Sequence, residues 1–205
     1  MKKEPTGNFT RCISENNVLV LAPNWLGDAV MSLPFFTALR KRHPKSFITA
    51  ACRGYVSEIF RRCREIDRLL VTGKGTVFGK ASEIRASDPP GGGYLKCFIL
   101  RPSFSSSLIA VLAGIRERIG YGTDFRTILL TRSLRGRLYR RGHLSGSYIR
   151  LLELDDGKVE DKIPVPVLEP PEQWRSMVKS MSIPRDYFVF SPGATYGPAK
   201  LWPGE

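Results

Sequence analysis

Hydrophobic positions along the chain switch repeatedly between two rhythms. Val18 to Ala22 is an unbroken apolar run, short enough for a strand and rich in β-branched residues. Runs of that kind suit a strand covered on both faces, as in a parallel sheet. Pro23-Asn24-Trp25-Leu26-Gly27 breaks the run. From Asp28 the apolar residues Met31, Phe35, Ala38 and Leu39 fall at helical spacing, and the segment ends in Arg40-Lys41-Arg42. An acidic or capping residue at the start and cations at the end are what a helix favours. This predicts strand, tight turn and helix, with Asp28 as the helix cap.

The alternation continues. Phe47 to Cys52 reads as a strand, Tyr55 to Arg62 as a short helix and Leu69 to Thr72 as a strand. Gly73 to Gly93 is glycine-rich and predicts a mobile loop with one helical turn around Ala81 to Ala86. Cys97 to Leu100 predicts a strand, Ser105 to Ala113 a helix and Ile119 to Tyr121 a short strand. The basic run Arg132 to Arg141 is expected at the surface. His143 to Leu152 is helical in pattern, with Leu144, Tyr148, Leu151 and Leu152 on one face. Strands alternating with helices imply βαβ units and a parallel sheet, so the fold class is α/β. In such sheets ligands sit at the carboxyl ends of the strands, where Asn24 to Asp28 fall.

Composition then shifts. Asp155 to Pro171 is charged and proline-rich and predicts a linker. Gln173 to Met181 predicts a short amphipathic helix. Tyr187 to Phe190 predicts a strand running into Ser191-Pro192-Gly193-Ala194-Thr195-Tyr196-Gly197. The expected organisation is a tail over 1–16, a Rossmann-like domain over 17–154, a linker over 155–171, and the opening of a second Rossmann-like domain over 172–205.

Bulk properties narrow the classes. A hydrophobic content of 42% can fill a core, and no apolar run approaches the length of a transmembrane helix. The polar start predicts no signal peptide. Cys12, Cys52, Cys63 and Cys97 form no CxxC pair, which reads as reduced thiols in a cytosolic protein. Lysine and arginine total 32 against 19 acidic residues, a net charge of +13. That favours anionic partners: nucleic acid, anionic lipid headgroups, or a phosphorylated and carboxylated substrate. The usual nucleic-acid motifs are absent. Gly73 to Lys80 has one residue too many for a phosphate-binding loop, and Ala81 stands where Ser or Thr is required. Gly27 is the single glycine after the first strand, which disfavours a dinucleotide redox domain. His43 and His143 have no partner at metal-ligand spacing.

Three segments carry a family resemblance. Asn24 to Pro44 (NWLGDAVMSLPFFTALRKRHP), Leu100 to Gly120 (LRPSFSSSLIAVLAGIRERIG) and Ser191 to Pro203 (SPGATYGPAKLWP) resemble, in order, motifs of glycosyltransferase family 9, the ADP-heptose–lipopolysaccharide heptosyltransferases. The third is most like the type II branch. The resemblance implies a GT-B fold, with an acceptor domain, a nucleotide-sugar domain and the active site in the cleft between them. It implies heptose transfer from ADP-heptose to the lipopolysaccharide inner core with inversion, without metal or cofactor. It also implies a monomer, cytoplasmic and peripheral to an anionic inner-membrane face, that does not bind nucleic acid.

By that resemblance Asp28 is the general base, taking the acceptor hydroxyl proton as the oxygen attacks the anomeric carbon. Gly27 lets the acceptor approach the backbone, and Asp28 acts by where it stands. Thr195 and Lys200 contact the donor phosphates, where a fixed cation and a glycine-rich turn can neutralise departing diphosphate. Asn24, Trp25, Ser103 and Ser105 are acceptor-side candidates. Arg101 and Arg118 are candidates for pairing with acceptor carboxylates or phosphates. A later Asp-Ser-Gly motif of the family does not occur before Glu205, so this chain is expected to be an N-terminal portion inactive alone. The rival reading is a non-catalytic basic module for anionic glycolipid or RNA.

Overall fold

The computed structural model describes residues 17–73, 75–87, 89–123, 125–136, 142–158, 162–184 and 186–190. Contacts divide the chain into two compact units, the first ending at Glu169 and the second beginning at Pro170.

The first unit opens with β1 (Val18–Leu21), α1 (Leu26–Arg42), β2 (Ile48–Arg53), α2 (Ser57–Arg61) and β3 (Arg68–Thr72). It continues with α3 (Val77–Ala86), β4 (Lys96–Ile99), α4 (Phe104–Leu112), β5 (Glu117–Tyr121) and β6 (Arg132–Leu134). It closes with α5 (Leu144–Ile149), a 3-10 turn (Arg150–Leu152) and α6 (Glu153–Asp156). The second unit holds α7 (Trp174–Ser180).

All five strand pairings are parallel, in the order β3-β2-β1-β4-β5-β6. Chain order runs outward from β1 in one direction and then reverses to β4. The crevice between β1 and β4 is therefore the topological switch point of a doubly wound sheet.

Successive β1 side chains face opposite ways, and each face has its own core. Val18 and Val20 pack with Phe35, Phe36 and Leu39 of α1, Phe60 of α2, and Tyr148, Leu151 and Leu152 near α5. Leu19 and Leu21 pack with Ala81 and Ile84 of α3, and Ile109 and Ala110 of α4. Edge-to-face rings tie helix to sheet and helix to helix, Phe35 to Phe98 at 5.3 Å and Phe36 to Phe60 at 5.6 Å between centroids. Each such pair contributes about 0.5–1.5 kcal/mol beyond burial of area. Pro34 lies inside α1 and cannot donate to the Val30 carbonyl. Val30 is exposed, so water can satisfy that carbonyl.

Three expectations about the course of the chain differ from the structure. The stretch 73–93 holds a ten-residue helix, α3, because Thr76 caps it by accepting from the Gly79 N–H, and Ala81 and Ile84 are buried on the sheet. The described part of the basic run is at the surface as expected: Arg132 and Arg135 are exposed, Arg132–Leu134 forms the edge strand β6, and 137–141 lie outside the described residues. The expected linker is fastened to the first unit as far as Glu169. Asp155 meets His43 and Lys96, Leu168 bridges to Cys63, and the Glu169 N–H donates to the Arg62 carbonyl at 2.9 Å. Finally, Tyr187 to Phe190 is exposed and joins no sheet among the described residues. A strand needs a partner backbone, and apolar composition alone does not supply one.

Candidate active site

The site is built where β1 and β4 end side by side. The β1 backbone runs into Pro23, Asn24 and Trp25, and α1 begins at Leu26. Trp25 is the helix cap, through its extended backbone and its carbonyl, which accepts from the Ala29 N–H at 2.8 Å. Asp28 is therefore not the cap. It is the third helical residue, which brings its carboxylate to the first turn, above the sheet's carboxyl edge.

From β4 come Arg101, Pro102 and Ser103. Ser103 caps α4, accepting from the Ser106 N–H at 3.3 Å, and its hydroxyl also meets those of Ser106 and Ser105, at 2.7 and 3.2 Å. These loops and Tyr148 of α5 enclose an open cleft of about 130 Å³, lined by Asn24, Trp25, Asp28, Arg101 and Ser103 among others.

Arg101 dominates the electrostatics. It is 9% exposed, and one guanidinium nitrogen donates to the Ala51 carbonyl at 3.3 Å. Among the described residues its Nε has no hydrogen-bond partner, and no carboxylate pairs with it. Burial pushes its pKa down to about 10, with Arg53 adding to the effect and the Cys97 and Cys52 thiols opposing it. The group remains cationic at neutral pH. A buried cation without a counter-ion is costly unless something anionic comes to it.

The backbone around Arg101 is held from beneath by Arg126, which is fully buried. Its Nη1 donates to the Arg101 carbonyl at 2.6 Å and its Nε to the Tyr121 carbonyl at 2.5 Å. Neither Arg126 nor Tyr148 stood out in the sequence as part of the site. Arg126 follows the strand it braces by only five residues, but no spacing rule announces a buried arginine, and Tyr148 read simply as part of an apolar face.

The expected site residues are thus sorted. Asn24, Trp25, Asp28, Arg101 and Ser103 line one cleft. Gly27 and Ser105 are exposed on the first turns of α1 and α4. A Cβ at Gly27 would meet no atom within 4 Å, so packing within the fold does not demand glycine there. Arg118 is not brought to this edge. It is the second residue of β5, and its guanidinium donates to the carbonyls of Leu129 at 2.7 Å and Ile115 at 2.6 Å. That group braces the strand's amino end. Thr195 and Lys200 lie outside the described residues.

A reversing parallel sheet with a cleft that carries Asp28 and Arg101 at its switch point defines a ligand-binding α/β protein of the Rossmann-like kind. More narrowly, the chain belongs to glycosyltransferase family 9 (heptosyltransferase), whose family model matches residues 94–205. It is 28% identical over 198 residues to lipopolysaccharide heptosyltransferase 2 of Escherichia coli K12, covering 91% of this chain and 56% of that protein. It is likewise 28% identical over 198 residues to lipooligosaccharide heptosyltransferase 2 of Haemophilus influenzae, covering 91% and 57%. The structure superposes on the E. coli ADP-heptose lps heptosyltransferase II with a TM-score of 0.74 at 25% identity, covering 91% of this chain and 57% of that one. A family 9 glycosyl transferase from Veillonella parvula gives the same score and identity, covering 93% and 57%. The chain spans about half the length of the curated relatives it matches.

Proposed function

We propose that this chain acts in the transfer of heptose from ADP-heptose to the lipopolysaccharide inner core, and that the cleft between β1 and β4 receives the acceptor. The observation that carries the reading is the presence of Asp28 and the unpaired, buried Arg101 in one cleft at the sheet's switch point. In the transfer, Asp28 takes the proton from the acceptor hydroxyl while that oxygen bonds to the anomeric carbon from the face opposite the nucleotide. The bond from that carbon to the diphosphate breaks, and ADP leaves with the electron pair. Arg101 holds an acceptor phosphate or carboxylate, Ser103, Ser105 and Asn24 hydrogen-bond it, and Trp25 and Gly27 shape its entry. Thr195 and Lys200 hold the donor phosphates. The protein works as a monomer at the cytoplasmic face of the inner membrane.

The test is titration of delipidated inner-core oligosaccharide into the 205-residue chain, with Arg101→Met beside it. Methionine fills much of the arginine's volume and leaves no buried charge, so the variant should melt no lower than the wild type. Acceptor affinity should fall about tenfold to a hundredfold, the usual worth of hydrogen bonds to a charged group. Equal affinity in both proteins would refute the acceptor assignment. Tight binding of random RNA with none of oligosaccharide would favour the basic-module reading instead.

A further inference from the structure

The loop after β5 is built to display two apolar side chains, and the structure shows how. Phe125 is 93% exposed and Ile128 is 82% exposed, yet Arg126 between them is fully buried. Arg126 ties the loop down through the Tyr121 and Arg101 carbonyls. Turns within the loop add to this, the Arg126 N–H donating to the Thr123 carbonyl and the Leu130 N–H to that of Thr127. The exposure therefore belongs to a fastened loop and not to a loose one. Phe125 also has φ 57°, in the left-handed region where a bulky residue is strained. Such strain persists only where surrounding contacts impose it, and it clusters at functional positions.

These tips have company. Trp25 and Leu26 follow β1 and Phe104 follows β4, and all three are exposed. β1, β4 and β5 are neighbours in the sheet. At about 4.8 Å per strand, their carboxyl-end loops share a front about 10 Å across. Phe125, beside the Arg126 that braces the ends of β4 and β5, thus rims the same end of the sheet as the cleft with Trp25, Leu26 and Phe104, and Ile128 flanks it where the connection turns back toward β6.

We propose that this rim, led by Phe125 and Ile128, is the part of the protein that enters the headgroup region of an anionic phospholipid bilayer. Separate aromatic and aliphatic tips on different loops suit a fluid interface, which closes around each of them. The net charge of +13 supplies attraction to anionic lipid, and exposed Arg53 and Arg135 lie at the ends of β2 and β6 on this same edge. A second copy is a poor occupant, because each copy would bring the same net charge to the contact. The inference rests on the proposed lipid-linked acceptor, whose sugar would then reach the cleft as the rim meets the membrane.

The experiment sediments the 205-residue chain with phosphatidylethanolamine–phosphatidylglycerol vesicles, free of lipopolysaccharide, at physiological salt. The double variant F125S/I128S should partition roughly tenfold or more weakly than the wild type, reflecting two lost apolar insertions. Its melting temperature should be kept, since neither side chain is packed. Val165→Ser, at an exposed valine outside these loops, should partition as the wild type does. Equal partitioning of the double variant would overturn the proposal. So would vesicle-free self-association of the wild type that the double variant loses, which would make a second copy the occupant. The oligosaccharide titration contains no lipid, so acceptor recognition and membrane contact can each fail without the other.

Discussion

Asp155 has two opposing pressures on one carboxyl group. Burial alone would raise its pKa, but hydrogen bonds from His43 Nε2, at 2.6 Å, and from Lys96 outweigh it and hold the group down at about 2. An unfolded aspartate titrates near 3.9. A depressed folded pKa contributes stability that is complete above about pH 4 and is lost as pH falls through about 2. Linkage puts the contribution on the order of 2 kcal/mol. Melting curves taken across this range should show the wild type losing that increment on acidification. Asp155→Asn should be less stable at neutral pH by about 2–3 kcal/mol, because Lys96 loses its nearer anionic partner and keeps only the more exposed Glu117 at 3.9 Å, and should show a flatter acid dependence. An unchanged acid profile in the variant would remove Asp155 from the account. The buried thiols behave more simply. Burial pushes Cys52 up to about 11, and Cys63 and Cys97 up to about 12, so little thiolate forms at neutral pH.

At the scale of elements, α3 shows what a glycine-rich composition can hide. Gly75 and Gly79 flank Thr76, and the stretch reads as a loop. The threonine nonetheless caps a helix, and two buried residues hold that helix to the sheet. Thr76→Ala should cost about 1 kcal/mol. Hydrogen exchange should quicken first at Gly79 and Lys80, near the freed cap. Unchanged exchange there would mean that Ala81 and Ile84 alone hold the helix. The start of α1 differs in a related way. Acidic residues suit both a cap and a first turn, so sequence located Asp28 at a helix start without fixing its position within it. The offset matters, because it is the first-turn position that lines the cleft. Tyr187 to Phe190 has the composition of a strand, but β structure depends on a partner that composition does not describe.

Across the whole molecule, alternating strands and helices were enough to read the parallel sheet, and with it the edge where the site falls. Local periodicity carried that information. The fastening of 155–169 was not legible, because Asp155 bonds to His43 and Lys96, which are 112 and 59 residues away in sequence. Charge and proline content made the segment look like a linker, and only the folded arrangement supplies its partners. The same holds for Arg126. Nothing local distinguishes a guanidinium that braces two strand ends from one in solvent, whereas Arg101 lies in the segment Leu100 to Gly120 that carries the family resemblance.

The central claim is that the β1–β4 cleft houses a transfer reaction in which Asp28 is the base. The direct measurement is ADP release from ADP-heptose with inner-core acceptor. It is made on a chimaera that joins this chain at Pro170 to the remaining part of E. coli heptosyltransferase 2, with the parent chimaera and its Asp28→Asn variant assayed side by side. The expected result is a fall in kcat on the order of 10²–10⁴-fold, with acceptor KM and melting temperature nearly unchanged. Turnover by the Asp28→Asn chimaera at the rate of its parent would contradict the account.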